Sequence, residues 1–291
     1  MSVFVQQHHS VCSFTASDSW VILSEIEQSI KRKIEAVGTP LKDWNINIYR
    51  GVLTGYNEAF IISTEKKNEI LENCQTEDER KRTEELIRPI LRGRDIKRYG
   101  YDWAGLWLIN THNGVKGVMP RIKIEDYPAV KRHLDLYWDK IKKRADQGDT
   151  PYNLRNCAYV DDFNKPKIMW KRIGSILRFS YNDNGSLGLD STCFATGRNI
   201  AYICCVLNSP MGHYLLKDAP KTGTGDLLIS VQAVEPLLIP LISNDSYYIT
   251  ALNKILSKAD KDLESDIAEK IYALYGLSEA EKQYIIDREG C

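Results

Sequence analysis

The chain has 291 residues, with 39 Lys/Arg exactly balanced by 39 Asp/Glu, and 43% of it is hydrophobic. That length buries a sizeable core, the apolar and charged fractions are those of a soluble globular protein, and no apolar run approaches the roughly 18–20 residues of a membrane span. The opening Met-Ser-Val-Phe-Val-Gln-Gln-His-His lacks the basic flank and long apolar block of a secretory signal, so a cytoplasmic protein is expected.

Seven cysteines, at positions 12, 74, 157, 193, 204, 205 and 291, are odd in number and contain no Cys-x-x-Cys. Reduced thiols are expected. A zinc site would need paired ligands at short spacing.

The first 17 residues carry no helix or strand signal, as in a chain cut from a longer protein. Residues 18–37 read as an amphipathic helix: Asp18 can cap it, Leu23, Ile26, Ile30 and Ile34 share one face, and Gly38 and Pro40 end it. Ile46–Arg50 alternates with period two, as a half-buried strand does. A polar turn follows, and Ala59-Phe-Ile-Ile reads as a second strand, making a hairpin whose loop presents Thr54, Tyr56 and Asn57. Gly51 and Gly55 permit close backbone approach, although an ordinary polar turn has the same composition.

Thr76 and Glu79 form a capping-box signature opening a charged helix over 77–91, which Pro89 should bend or end. Residues 80–98 carry eight Lys/Arg against three Asp/Glu. The run Arg92-Gly-Arg-Asp-Ile-Lys-Arg98 concentrates this charge in a loop before a strand at Leu106–Ile109. Another helix is expected from Asp126 to Arg144, with Pro128 in its first turn, an apolar face at Val130, Leu134, Tyr137, Trp138 and Ile141, and Lys/Arg mostly elsewhere. Residues 116–144 hold nine Lys/Arg against four Asp/Glu, a charge pattern that suits either phosphate contact or a solvated face.

Short strands follow at Lys167–Trp170, Ile176–Phe179 and Thr192–Phe194, separated by Asn/Asp/Gly turns. Helix returns over 199–216, broken at Asn208-Ser-Pro, with Cys204 and Cys205 in the core. Thr222-Gly-Thr-Gly-Asp lacks the Gly-Lys-Ser/Thr ending of a phosphate loop, yet Lys221, Thr222 and Thr224 could donate to a DNA phosphate. A strand at Leu227–Val231 and the segment Pro236–Pro240 close this region. Beyond Asn244 come two amphipathic helices; Gly276 stops the second, and Ser278 with Glu281 caps a third. Residues 243–291 hold six Lys/Arg against ten Asp/Glu. This acidic helical tail is expected to pack on the first helix or on a neighbouring domain.

No motif for bond chemistry emerges. Asn208-Ser-Pro-Met lacks the double proline and aromatic residue of an amino-methylating turn. Glu65-Lys-Lys67 matches only the short half of a Mg²⁺-nuclease pattern, and the five histidines show no nucleophilic partnership. Basic segments hidden inside a neutral total are the footprint nucleic acid requires.

The order of motifs resembles the TaqI-like C-terminal specificity domain of bacterial adenine-specific DNA methyltransferases and fused restriction–modification enzymes. The resemblance rests on Pro40-Leu-Lys-Asp-Trp44; Arg50-Gly-x-x-Thr-Gly-x-Asn57 and Ala59-Phe; Ile87-x-Pro-x-Leu-Arg-Gly-x-Asp-Ile-x-x-Tyr99; Tyr127-Pro; Tyr152-x-Leu-Arg; Lys165-Pro-Lys-Ile; Leu207-Asn-Ser; and Ile271-Tyr-x-Leu-Tyr-Gly-Leu-Ser-x-x-Glu281. It implies an α+β fold, a mixed irregular sheet flanked by helices, divided as 1–38 (N-terminal segment and first helix), 39–243 (target recognition) and 244–291 (helical extension). It also implies a double-stranded DNA partner and a methyltransferase catalytic domain in the parent protein. S-adenosylmethionine, and Mg²⁺ where the parent cleaves, would belong to that parent, with no cofactor in this chain. By position, Arg92, Arg94, Lys97 and Arg98 are assigned to DNA contact, Thr54, Tyr56 and Asn57 to base reading, and Lys171 and Arg172 to further contacts; Tyr49 to Gly51 can instead be structural. The alternatives are a Mg²⁺-dependent DNA endonuclease domain around Glu65 and a protein-interaction module built on the helical tail.

Overall fold

The computed structural model describes residues 23–289. The expected Asp18 cap, Cys12 and Cys291 lie outside them. Helix α1 (Glu25–Val37) starts after Ser24, which closes a capping box with Glu27, so Leu23 and Ser24 are not helical. Strands β1 (Gly38–Pro40), β2 (Ile46–Arg50) and β3 (Ile61–Ser63) follow, then helices α2 (Thr64–Glu72) and α3 (Glu77–Leu86). Strands β4 (Ile87–Leu91) and β5 (Leu106–Ile109) precede helix α4 (Pro128–Asp135). Five strands come next: β6 (Lys167–Lys171), β7 (Ile173–Gly174), β8 (Phe179–Asn182), β9 (Leu187–Gly188) and β10 (Thr192–Gly197). Helices α5 (Ile200–Asn208) and α6 (Pro210–Leu215), strands β11 (Leu227–Leu228) and β12 (Leu238–Pro240), and helices α7 (Ser246–Ser257), α8 (Lys261–Leu274) and α9 (Glu279–Glu289) complete the chain. The fold is α+β.

One four-stranded sheet, in order β2-β10-β6-β8, is antiparallel throughout and has a core on each face. Side chains alternate along a strand, so Ile168, Trp170, Cys193 and Ala195 enter one core, while Met169 and Phe194 enter the other. Burial on both faces accounts for the unbroken buried run Lys167–Trp170. The first core is completed by α5 and the C-terminal helices, the second by the sheet β3-β5-β4-β9 and by α2 to α4.

Several sequence expectations change here. Ala59-Phe60 belongs to a single helical turn, and β3 pairs with β5 rather than β2, so there is no 46–62 hairpin. The helix opened by Thr76 ends at Leu86 instead of bending at Pro89: Ile87, Ile90 and Leu91 are buried as β4, which pairs with β5 on one side and β9 on the other. The expected 126–144 helix divides into α4 and the turn Trp138–Ile141, joined through Leu136 and Tyr137. The strand expected at Ile176 begins at Phe179, and the one at Leu227 stops at Leu228. The break at Asn208-Ser-Pro is as expected, with Ser209 capping α6 through Gly212.

Helix α5 is buried at every position, Cys204 and Cys205 included, because sheet, α6 and α7 surround it. The acidic tail packs on α1: Glu281 accepts Ser29 Oγ at 2.7 Å and Lys33 Nζ at 2.5 Å while capping α9 through Ser278. Burial alone would raise this carboxyl, but Lys33 and the Ser278 and Ser29 donors hold it down to about 2. Ile267, Ile271, Tyr272 and Tyr275 of the tail enter the same core as the sheet.

Lys167 is fully buried at the start of β6, donating to the Phe163 carbonyl at 2.8 Å and Asn182 Oδ1 at 3.0 Å. Burial, with Arg88 nearby, lowers it from 10.5 to about 8. Below about pH 8 both folded and unfolded states hold the proton and the cost of a buried charge is fully present; between there and 10.5 only the unfolded chain does, so this group's contribution to stability rises with pH. Against Lys167→Met, the wild type should gain about 3 kcal/mol in urea unfolding between pH 7 and 10.5. A difference independent of pH would contradict the burial of the ammonium.

Candidate nucleic-acid interface

Strand register gathers the basic residues. Lys171 lies opposite Thr192 and Arg50 opposite Cys193, so the ends of β6 and β2 emerge on either side of the start of β10. The turn Gly93–Asp95 sits over that end. Gly93 N–H donates to Ser191 Oγ at 3.0 Å, and a Cβ on Gly93 would stand 2.8 Å from Lys171 Cγ and 2.9 Å from the Ser191 carbonyl. Only glycine brings the turn this close. Arg94 is therefore carried to the Lys171 side chain, exposed and without a partner among the described residues.

From Lys171 the band continues. Arg172 is tied to Ser191 and Ile229 through its backbone, and β7 pairs with β11, bringing Lys221 and its loop to the same edge. Residues 175–178 then lead to a groove of about 690 Å³ lined by Lys97, Arg98, Ile176, Arg178 and His213. Burial and the charge of Arg98 lower His213 to about 4, so it adds no cation at neutral pH. Ile176 is 62% exposed at this groove, which Asp102 also lines. Like charges from separated segments converge on one edge, which raises the local positive potential although the chain total is zero.

The expected residues fare differently. Arg94, Lys171 and Lys221 face solvent on the band. Arg172 is half-buried. Lys97 lies on it in an exposed pair with Asp102 at 3.2 Å. Arg92 is committed elsewhere: its backbone N–H, Nε and Nη2 all donate to Asp95, at 2.8, 3.0 and 2.7 Å, and those bonds raise its pKa. Arg98 reaches Glu264 of α8 at 2.5 Å and the Asn208 carbonyl at 3.1 Å, tying the turn to the acidic tail. Both hold the turn in shape.

Thr54 is buried, with its hydroxyl on Asn57 Oδ1 at 2.5 Å and its carbonyl accepting from Arg144, so it presents nothing to a base. Tyr56 donates to Glu58 at 2.6 Å, and Asn57 is exposed; this loop lies against Arg144 and Asp146. The Thr222 and Thr224 hydroxyls bond each other at 2.8 Å, and Asp226 closes the loop through the Thr222 N–H. Arg178 was hidden to sequence reading inside an expected strand. Arg50, set aside as structural, is on the band but pairs with Asp190 at 3.4 Å.

The second basic segment disperses. Arg144 is interior, its guanidinium over the Phe60 ring. Lys131 and Lys142 pair with Asp135 and Asp139, and Arg132 bonds the Asn73 carbonyl. Around Glu65, Lys67 is buried with its ammonium 3.6 Å from the Trp107 ring centre, and Lys66 pairs with Glu69, so Glu65-Lys-Lys67 does not converge on one point.

A family model of the TaqI-like C-terminal specificity domain matches residues 88–233, half of the chain, which includes Arg94, Lys171, Arg178 and Lys221. The chain belongs to that family. No curated protein matches it by sequence. Among solved structures, the chain is similar to part of the Type IIL restriction–modification enzyme MmeI, solved in complex with DNA: TM-score 0.59, 12% identity, 86% of this chain and 36% of that one. It is also similar to part of the Type IIG restriction endonuclease BpuSI, with TM-score 0.50, 14% identity, 86% of this chain and 32% of that one. The chain thus spans about a third of the length of these proteins, and at such identity the likeness is one of fold.

Proposed function

We propose that the chain reads sequence in double-stranded DNA as the target-recognition part of a bacterial restriction–modification enzyme that methylates adenine, the covalent step being performed by a methyltransferase catalytic domain of the parent protein. The observation that carries this reading is the edge where Arg94, Lys171, Arg178 and Lys221 project from four separate segments of a TaqI-like specificity domain. Support also comes from the fold shared with part of MmeI, a Type IIL restriction–modification enzyme solved with DNA. Cations along the band hold phosphates and fix register, and loop side chains beside it meet base edges. S-adenosylmethionine, and Mg²⁺ for a parent that also cleaves, fall to the catalytic domain; no residue here is assigned to either. No described helix is long and apolar enough to cross a membrane.

Arg94→Ala tests the reading without disturbing the core, since the side chain is exposed. Removing one phosphate contact lowers the slope of log K against log salt by about 0.9 and weakens binding roughly tenfold at 0.1 M salt. Fluorescence anisotropy on a labelled duplex should show both changes with an unaltered melting temperature. Unchanged affinity and slope would take Arg94 out of the interface.

A further inference from the structure

Residues 113–121 form a short hairpin that the basic band does not include. Val115 and Met119 exchange both backbone hydrogen bonds, at 2.8 and 2.9 Å, and Ile122 N–H donates to the His112 carbonyl below them at 3.1 Å. Four residues separate His112 from Gly117, so the tip stands no more than roughly 16 Å from its root. Gly114 (φ +72°) makes the close crossing possible: a Cβ there would lie 2.6 Å from both Arg121 N and the Met119 carbonyl. Gly117 (φ +78°) turns the tip in open space.

The root is pinned. Asn113 donates to Asp149 Oδ1 at 2.9 Å, accepts the Asp149 backbone N–H at 2.8 Å and bonds Asn156, while Arg121 pairs with Asp149 at 3.2 Å. Lys116 is exposed at the tip, and Val118 is 75% exposed. A single exposed valine is ordinary. A valine held in solvent at the end of a pinned projection, two residues from the exposed Lys116, offers an apolar surface and a cation side by side. The hairpin also stands beside the sheet end described above: Ala158 lines the cavity beneath it, and the next residue, Tyr159, donates to the Arg50 carbonyl at 3.0 Å.

We infer that this hairpin enters a groove of the duplex and makes base-specific contact, with Val118 meeting an apolar base edge such as the thymine methyl and Lys116 a flanking phosphate. The major groove is about 12 Å wide and admits a two-stranded ribbon. The inference rests on the proposed DNA-reading function and supplies the specificity element that phosphate contacts on the band cannot.

Duplexes bound by the wild-type chain are first selected from a random pool. Affinities for the selected and a random duplex are then compared for wild type, Val118→Ala and the double variant Lys116→Gly/Val118→Ser. The ratio of selected to random affinity should fall about tenfold in the double variant, the worth of one base pair's readout, while affinity for both duplexes also falls by up to about tenfold through the lost Lys116 phosphate contact. Replacing thymine by uracil in the selected duplex should weaken wild type and leave Val118→Ala indifferent. A ratio unchanged by the double variant overturns the inference while leaving duplex binding by the band intact; wild-type protein that binds no duplex instead overturns the proposed function.

Discussion

Arg144→Ala is expected to cost about 3–5 kcal/mol of folding stability, from several charge-assisted hydrogen bonds lost together with a large buried side chain. Its guanidinium donates to four backbone carbonyls, those of Thr54, Asp146, Pro151 and Asn153, and lies 4.5 Å from the Phe60 ring centre. Burial lowers its pKa to about 10, so it stays charged at neutral pH and its carbonyl partners supply the compensation. Truncation strips the guanidinium donor from all four, leaves the Thr54 carbonyl of a buried residue without it while Asn153 keeps only the Gly148 N–H, and opens a cavity beside Phe60. The three strapped segments include the loop that carries Asp149, so the root of the 113–121 hairpin should loosen together with the fold. Urea unfolding measures the first effect and amide exchange at residues 113–121 the second. A loss below 1 kcal/mol would mean that the carbonyls reach water or another donor.

Much of the fold was legible because helix ends are local chemistry. Thr76 with Glu79, Ser278 with Glu281, Ser209 before Pro210 and Gly276 all act where their spacing puts them, since a cap needs only residues three or four apart. The failures came where a distant partner decided. Helix pattern runs through Leu86 to Leu91, yet β5 and β9 claim that segment as a strand, and nothing near it in sequence announces them. The candidate site divides in the same way. Arg94 and Lys171 were visible as exposed cations, whereas Arg92 and Arg98 looked identical to them. Asp95 three residues on, and Glu264 far along the chain, turned those two into struts. Charge counted along a sequence does not show which cations are already neutralised. Arg178 was missed for the converse reason: a strand assigned over 176–179 concealed a loop residue at the groove.

The second large effect concerns the band as a whole. Neutralising Arg94, Lys171, Arg178 and Lys221 together to glutamine removes four potential phosphate contacts, and counterion release assigns each about 0.9 of salt slope. At 0.1 M salt the combined loss in duplex affinity is on the order of 10³ to 10⁴. The substitutions leave the Arg92–Asp95 and Arg98–Glu264 ties in place, so the turn keeps its shape and melting should be nearly unchanged. Isothermal titration or anisotropy between 50 and 300 mM salt, on wild type and quadruple variant side by side, therefore tests the central claim most directly. The account predicts a steep negative slope for wild type that flattens by about three to four units in the variant. Parallel slopes, or wild-type binding indifferent to salt, would contradict it.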